Sequence, residues 1–221
     1  MTITQKNDTK DILYDPFLEA LLSGNKRSGS AYIHKLLEQG MAFPIVYEQV
    51  IKQALYRVGE LWEHNKISVA EEHLATSISE AIMNELFAAI ISPHRCSKKV
   101  LVGCVEQEQH QVGAKMVADM FESKGWDSYY LGANIPATEL INFARQLKPD
   151  MIALSVSIYF HMPLFEKMVK TIYSELTSIP ILVGGQAFRH GGSDVIERYS
   201  NTTLIKDLYD LEIFIDNYSQ T

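Results

Sequence analysis

Glu108, His110 and Gly113, in the stretch KVLVGCVEQEQHQVG (residues 99–113), have the types and spacing to hold a metal-centred ligand. A carboxylate beside an imidazole fixes its tautomer, turns the ring and raises the basicity of the nitrogen that meets the metal. A glycine three residues on lets a bulky ligand lie close against the backbone. On its own, E-x-H-x-x-G is also the pattern of an ordinary loop or helix cap. A second group lies upstream, where Trp62 is followed by Val69, Glu72 and His73. An indole, a carboxylate and an imidazole at one end of a helical hairpin can cover an organic group and bind its hydroxyls. A core-anchoring tryptophan beside a solvated Glu-His pair is the plainer alternative. A third set, Ser155, Ser157, Gly184 and Gly185, consists of small or hydroxyl-bearing residues that leave a slot between strand ends, or, for the glycines, simply make a turn.

These side chains need elements to position them. Val100, Leu101 and Val102 form a short buried strand, and a helix starts near Gln111, so His110 falls on the loop of a βα unit. Ligands of parallel sheets gather at that end of the strands. Beyond residue 99, strands expected at 99–104, 126–131, 151–155, 180–183 and 203–206 alternate with helices near 111–124, 137–147, 163–177 and 193–199, and with a last one from about 208. That alternation predicts a doubly wound, five-stranded parallel sheet of flavodoxin-like or Rossmann-like form. The segment Leu131 to Pro136 is expected beside Glu108 and His110.

Upstream, four helical patterns predict a helix bundle. The first opens at Asp15-Pro16, as N-cap and first helical position, and stops at Gly24; the second runs from Ser28 to Glu38. The third begins at Pro44 with Val46, Val50, Ala54, Val58 and Leu61 as its stripe, and ends near Trp62 to His64. The fourth opens on a Ser68-x-x-Glu71 capping box and runs to about Ile91, with Leu74, Ile78, Ala81, Glu85 and Ala89 expected inward. The domain plan is therefore a polar tail at 1–11, a helical bundle at 12–91, a linker at 92–98 and a sheet domain at 99–221.

The chain has 221 residues, 47% of them hydrophobic, enough for two small cores. A net charge of −7 argues against broad phosphate binding, and the basic clusters, Lys26-Arg27 and Arg95 to Lys99, are short. The two cysteines, Cys96 and Cys104, form no C-x-x-C pair or disulfide framework, as expected for a reducing, cytoplasmic setting. The polar start MTITQKNDTKD has no signal-peptide core, and AIMNELFAAII is interrupted by Asn84 and Glu85, so neither export nor membrane spanning is expected. There is no G-x-G-x-x-G after the first strand, and no G-x-S-x-G, H-E-x-x-H or P-loop, so a dinucleotide enzyme or conventional hydrolase is not expected.

Four motifs in order, E-x-H-x-x-G, the continuation GAKMVADMFESKGWDSYYLGANIPATEL, Ser155-Val156-Ser157 and Gly184-Gly185, resemble the cobalamin-binding domain family from about Pro16 to Phe214. The resemblance implies His110 as the lower axial ligand of cobalt, Glu108 as its orienting partner, and a slot at Ser155, Ser157, Gly184 and Gly185 for the displaced nucleotide tail. Trp62, Val69, Glu72 and His73 are similar to the helical cap of the CarH-type light-sensing regulators. That implies adenosylcobalamin, held between bundle and sheet domain with the cap on its adenosyl group, and a sensor that responds to light and signals through a regulatory protein partner. The alternative it implies is a corrinoid carrier working with methyltransferase subunits, with methylcobalamin as the cofactor. No catalytic residue is expected in the sensor; a homo-oligomer fits either reading. Only about a dozen polar residues precede the bundle where those regulators carry a MerR-type DNA-binding domain, so direct DNA binding is not expected. Where the regulators have a second cobalt-ligating histidine after the cap tryptophan, this chain has Glu63 and then His64; His64 and His73 are the candidates to replace it.

Overall fold

A computed structural model describes residues 13–218, so the expected tail at 1–11 lies outside the described residues. Two compact units follow, one ending at Glu85 and the other beginning at Leu86.

The first unit is built from α1 (Asp15–Leu22), α2 (Lys26–Glu38), α3 (Phe43–Ile45), α4 (Lys52–Glu63) and most of α5 (Val69–Ile90). Tyr14 is the N-cap of α1, with Asp15 already in the first turn and Pro16 behind it, one residue from expectation. Asn25 starts α2 two residues early, its side chain accepting the Ser28 N–H at 3.1 Å. Gly24 and Gly40 end these helices in left-handed conformations.

Helices α3 and α4 are one rod, joined by a π-helical stretch at Val46–Ile51 that the four-residue spacing did not foretell. The wider turn brings Val46, Tyr47, Glu48, Val50 and Ile51 all inside. Gln53 Nε2 donates to the Glu48 carbonyl at 3.1 Å, and Lys52 pairs with the Glu48 carboxylate, so the buried acid and its shifted carbonyl both have partners.

The capping box of α5 forms as expected: Glu71 accepts from the Ser68 N–H at 2.7 Å, and Ser68 Oγ accepts from the Glu71 N–H at 3.2 Å. Its expected inward stripe is corrected. Leu74 is 48% exposed, and Glu85 and Ala89 also face out; the buried face is Ala75, Ile78, Ile82, Met83 and Leu86. One helical residue is about 100° of rotation. The inward row is therefore the neighbour of the expected one, and only Ile78 is fully buried in both. Glu85 stays at the rim, where Ser30 Oγ donates to it at 2.6 Å and Lys26 pairs at 3.1 Å.

The second unit has strands β1 (Lys99–Cys104), β2 (Asp127–Gly132), β3 (Met151–Ser155), β4 (Ile181–Gly184) and β5 (Thr202–Leu204), all parallel, in the order β2-β1-β3-β4-β5. The intervening helices are α6 (Val112–Ser123), α7 (Ala137–Leu147), α8 (Met162–Glu175), α9 (Ser193–Glu197) and α10 (Leu208–Tyr218). Each strand and helix predicted from the sequence is present within two residues. Leu101, Ile152, Leu154, Ile181 and Val183 pack against Leu140, Ile141 and Ala144 of α7 and Phe165, Met168, Val169 and Ile172 of α8. The order is flavodoxin-like, with its topological switch point between β1 and β3, where such sheets bind ligands.

The expected linker at 92–98 is fastened to this unit. The Ser92 and Cys96 N–H groups donate to the Glu122 and Gly125 carbonyls, and Arg95 pairs with Glu122 at 2.8 Å and Asp127 at 2.7 Å. No helix among the described residues is long and apolar enough to cross a membrane.

A candidate ligand site at the switch point

Register alone brings several candidates together. Cys104 at the end of β1 lies opposite Ser155 of β3, and Ser155 opposite Gly184 of β4, so the loops that follow leave the sheet side by side. The loop after β1 is stapled by the one after β2. Asn134 Oδ1 accepts the Gln107 N–H at 2.8 Å, and the Asn134 N–H donates to the Glu108 carbonyl at 2.9 Å.

Glu108 is the centre of the site and has no solvent exposure. Its Oε1 accepts the His110 N–H at 3.0 Å and lies 2.5 Å from His110 Nδ1. Its Oε2 accepts the Ser157 and Ile158 N–H groups at 2.8 and 2.9 Å, and His161 Nδ1 donates to it at 3.2 Å. One carboxylate thus clamps the β1 loop to the β3 loop across the switch point. Burial pushes its pKa up, but hydrogen bonds from the His110 imidazole and from the Ile158, His110 and Ser157 N–H groups outweigh burial and hold it well below the usual carboxylate value of 4.5.

A depressed pKa in the folded state means that the unfolded chain binds the proton more readily. The stabilisation from Glu108 is complete above the unfolded value and is lost as pH falls through the folded one. Chemical denaturation of the ligand-free protein between pH 7 and pH 3 should show stability falling below about pH 4.5, and Glu108→Gln should flatten part of that fall. Equal acid slopes for wild type and variant would remove Glu108 as its source.

His110 is held the other way round from its carboxylate: its side chain is 56% exposed. With Nδ1–H given to Glu108, Nε2 carries the lone pair, which is the state a metal requires. Cys104 is a poor competitor. Burial first and the Glu108 charge second push its thiol up to about 12, and Sγ lies 3.6 Å from the His110 carbonyl.

The glycines separate into two kinds. Gly113 is exposed, has no positive φ, and a Cβ there would meet only Ser155 Oγ at 3.9 Å, an ordinary contact. The fold does not need that glycine, which leaves open surface three residues from His110. Gly185 is the reverse: at φ +119° its Cβ would lie 2.1 Å from the Val156 carbonyl oxygen. A Cβ on Gly184 would lie 2.9 Å from the Ile205 carbonyl oxygen. The chain's own backbone therefore accounts for this pair. Ser155 is buried beside Gly113, and Ser157 contributes its N–H to Glu108.

A cobalt ion inside a macrocycle brings its own equatorial donors and needs one protein ligand plus room for a flat ring. A single exposed imidazole of fixed tautomer and an open glycine surface fit that group. Sequence reading missed His161, whose signal was its place six residues past the end of β3.

In the first unit, Trp62 is 46% exposed at the end of α4 and Val69 is 53% exposed at the start of α5. Glu72 accepts from Thr76 Oγ1 at 3.1 Å and lies 3.5 Å from His73 Nε2, with the His73 side chain 75% exposed. Trp62 is thus not a core anchor. His64 Nδ1 lies 2.7 Å from the Glu60 carbonyl oxygen and closes the end of α4.

Comparison with known proteins adds three findings. A B12 binding domain model matches residues 98–202, and a second B12 binding domain model matches residues 13–87. In sequence the chain is 27% identical over 176 residues to the HTH-type transcriptional repressor CarH of Myxococcus xanthus, covering 77% of this chain and 58% of that protein. It is 23% identical over 192 residues to dimethylamine corrinoid protein 2 of Methanosarcina acetivorans, covering 85% of this chain and 88% of that one. The fold is shared with the monomethylamine corrinoid protein of Methanosarcina barkeri, at a TM-score of 0.77 and 14% identity over 93% of this chain and 98% of that one. The chain spans little more than half the length of the repressor.

Proposed function

Because the chain belongs to the B12-binding domain family and binds cobalamin, we propose that it is a sensor whose state depends on the cofactor's upper ligand. His110 would hold the cobalt through Nε2, and Glu108 would fix its tautomer. Ser155, Ser157, Gly184 and Gly185 border the nucleotide tail, and Gly113 admits the ring. When bound, adenosylcobalamin supplies a cobalt–carbon bond that light breaks. Trp62 and Val69 would cover an adenosyl group, and Glu72 and His73 would hydrogen-bond its hydroxyls. Loss of those contacts shifts the helical unit between two states, and a regulatory protein partner reads the change.

The observation that carries this reading is the exposure of Trp62 and Val69 beside the polar Glu72 and His73 at one helical hairpin. Exposing an indole forfeits roughly 1.5–3 kcal/mol of burial, which an organic ligand restores. A second reading, a corrinoid carrier serving methyltransferase subunits with methylcobalamin, is supported by likeness to a corrinoid protein over most of both chains.

A visible absorption spectrum with adenosylcobalamin, in the dark and then under green light, separates the two when paired with gel filtration. The sensor requires a bound, tail-displaced spectrum that converts on illumination together with a change of assembly size. Conversion without any change in size counts for the carrier, because free adenosylcobalamin also photolyses.

A further inference from the structure

Phe160 is 86% exposed, more than any other large apolar side chain among the described residues. It stands in a 3-10 turn, Tyr159–His161, straight after the segment that clamps Glu108. Its neighbours Ile158 and Tyr159 are 39% and 50% exposed, so three consecutive apolar residues face out on one turn. The turn is braced from below. Tyr159 meets His190 edge to face at 6.1 Å, and His161 reaches Glu108 at 3.2 Å while its ring lies edge to face against Phe160 at 6.4 Å. Phe160 is thus one imidazole away from the carboxylate that holds His110.

Resting on the cobalamin reading above, we infer that Phe160, flanked by Ile158 and Tyr159, is an apolar shelf against the corrin macrocycle beside His110. A macrocycle coordinated through His110 extends outward from its metal in every direction and covers the protein surface around that ligand. The turn carrying Phe160 belongs to that surroundings, because it shares the Glu108 clamp with the histidine. Cofactor sites are lined mainly by apolar and aromatic groups with a few fixed polar ones. Here Glu108 and His110 are the fixed polar part, and the shelf is the apolar complement that neither motif contains. An exposed phenylalanine raises the free energy of the ligand-free surface, and covering it returns that free energy as affinity.

The test titrates wild type, Phe160→Ala and Phe160→Leu in the dark with methylcobalamin and with methylcobinamide, which has the same macrocycle without the nucleotide tail. Binding is read from the visible spectrum, and a melt of each ligand-free protein serves as control. Phe160→Ala should melt like wild type and bind both compounds about tenfold more weakly, with Phe160→Leu between. Unchanged affinity for both compounds overturns the inference, and so does a loss confined to methylcobalamin, which would place Phe160 against the tail. Failure of wild type to bind either compound sinks the cofactor reading itself and takes the inference with it.

Discussion

Replacing Glu108 by alanine should cost about 3–5 kcal/mol of stability in the ligand-free protein, whereas replacing His110 by alanine should cost about 1 kcal/mol. The asymmetry follows from what each leaves behind. Glu108 is fully buried and accepts from three backbone N–H groups and two imidazoles; removing it strands the N–H groups of His110, Ser157 and Ile158 where the β1 and β3 loops meet. His110 is half exposed, and its removal leaves Glu108 with its backbone donors and His161. Cofactor binding should show the opposite separation. His110→Ala should remove the histidine-coordinated spectrum while the fold stands. Glu108→Gln is the informative intermediate, since its amide oxygen can still accept from Ser157 and Ile158, but its NH2 then faces His110. A ring that accepts at Nδ1 must carry its proton on Nε2, the nitrogen the metal needs. The glutamine variant should therefore fall between wild type and alanine in stability, because its NH2 also meets the His110 N–H that Oε1 accepts, and should still bind cobalamin without histidine coordination. A histidine-coordinated spectrum in Glu108→Gln would show that the carboxylate does not set the tautomer.

How much of this was legible in the sequence depended on whether the determining contacts are local. Strands β1, β3 and β4 are apolar runs buried on both faces, and the helices between them carry one apolar stripe each, so alternation alone located every strand and α-helix of the sheet unit, though not the 3-10 turns at Tyr159–His161 and Gln186–Arg189. The Glu71 capping box is likewise contained in four residues. Helix α5 failed the same reading because its determining contacts are not local. Apolar residues lie on two adjacent rows, and the choice between Leu74 and Ala75 is made by packing in the first unit. The π-helical stretch left no mark because Val46, Val50, Ala54 and Val58 stay buried through it. At the site, Glu108 and His110 were readable because they are two residues apart. His161 was not, because its contact with Glu108 spans 53 residues and exists only once β1 and β3 are adjacent. Phe160 escaped for a related reason, since exposure is a property of the fold and not of the residue.

Gly185→Ala should be the most destabilising single methyl in the sheet unit, while Gly113→Ala should be close to neutral for folding. After Gly184 the chain turns against two other backbones at once. The Val156 N–H donates to the Gly184 carbonyl at 3.0 Å, the Ala187 N–H returns to the Val156 carbonyl at 3.3 Å, and the Ile205 N–H reaches the Val183 carbonyl at 2.8 Å. A methyl at 185 meets the Val156 carbonyl oxygen at 2.1 Å and its carbon at 2.7 Å, and backbone atoms cannot swing aside as a side-chain end can. The φ of +119° adds its own cost of roughly 1–3 kcal/mol for any L-residue. With the clash included, the loss should be about 4 kcal/mol, a fall in melting temperature of about 10 °C for a chain of this size. At Gly113 the nearest atom to the new methyl is Ser155 Oγ at 3.9 Å, so stability should stay within about 0.5 kcal/mol of wild type. Its effect should emerge only with cobalamin present, as weaker binding at unchanged melting temperature of the ligand-free protein. A Gly185→Ala melt within about 2 °C of wild type would mean that the β4 loop gives way easily. The need for glycine there would then pass from the chain's own backbone to the nucleotide tail.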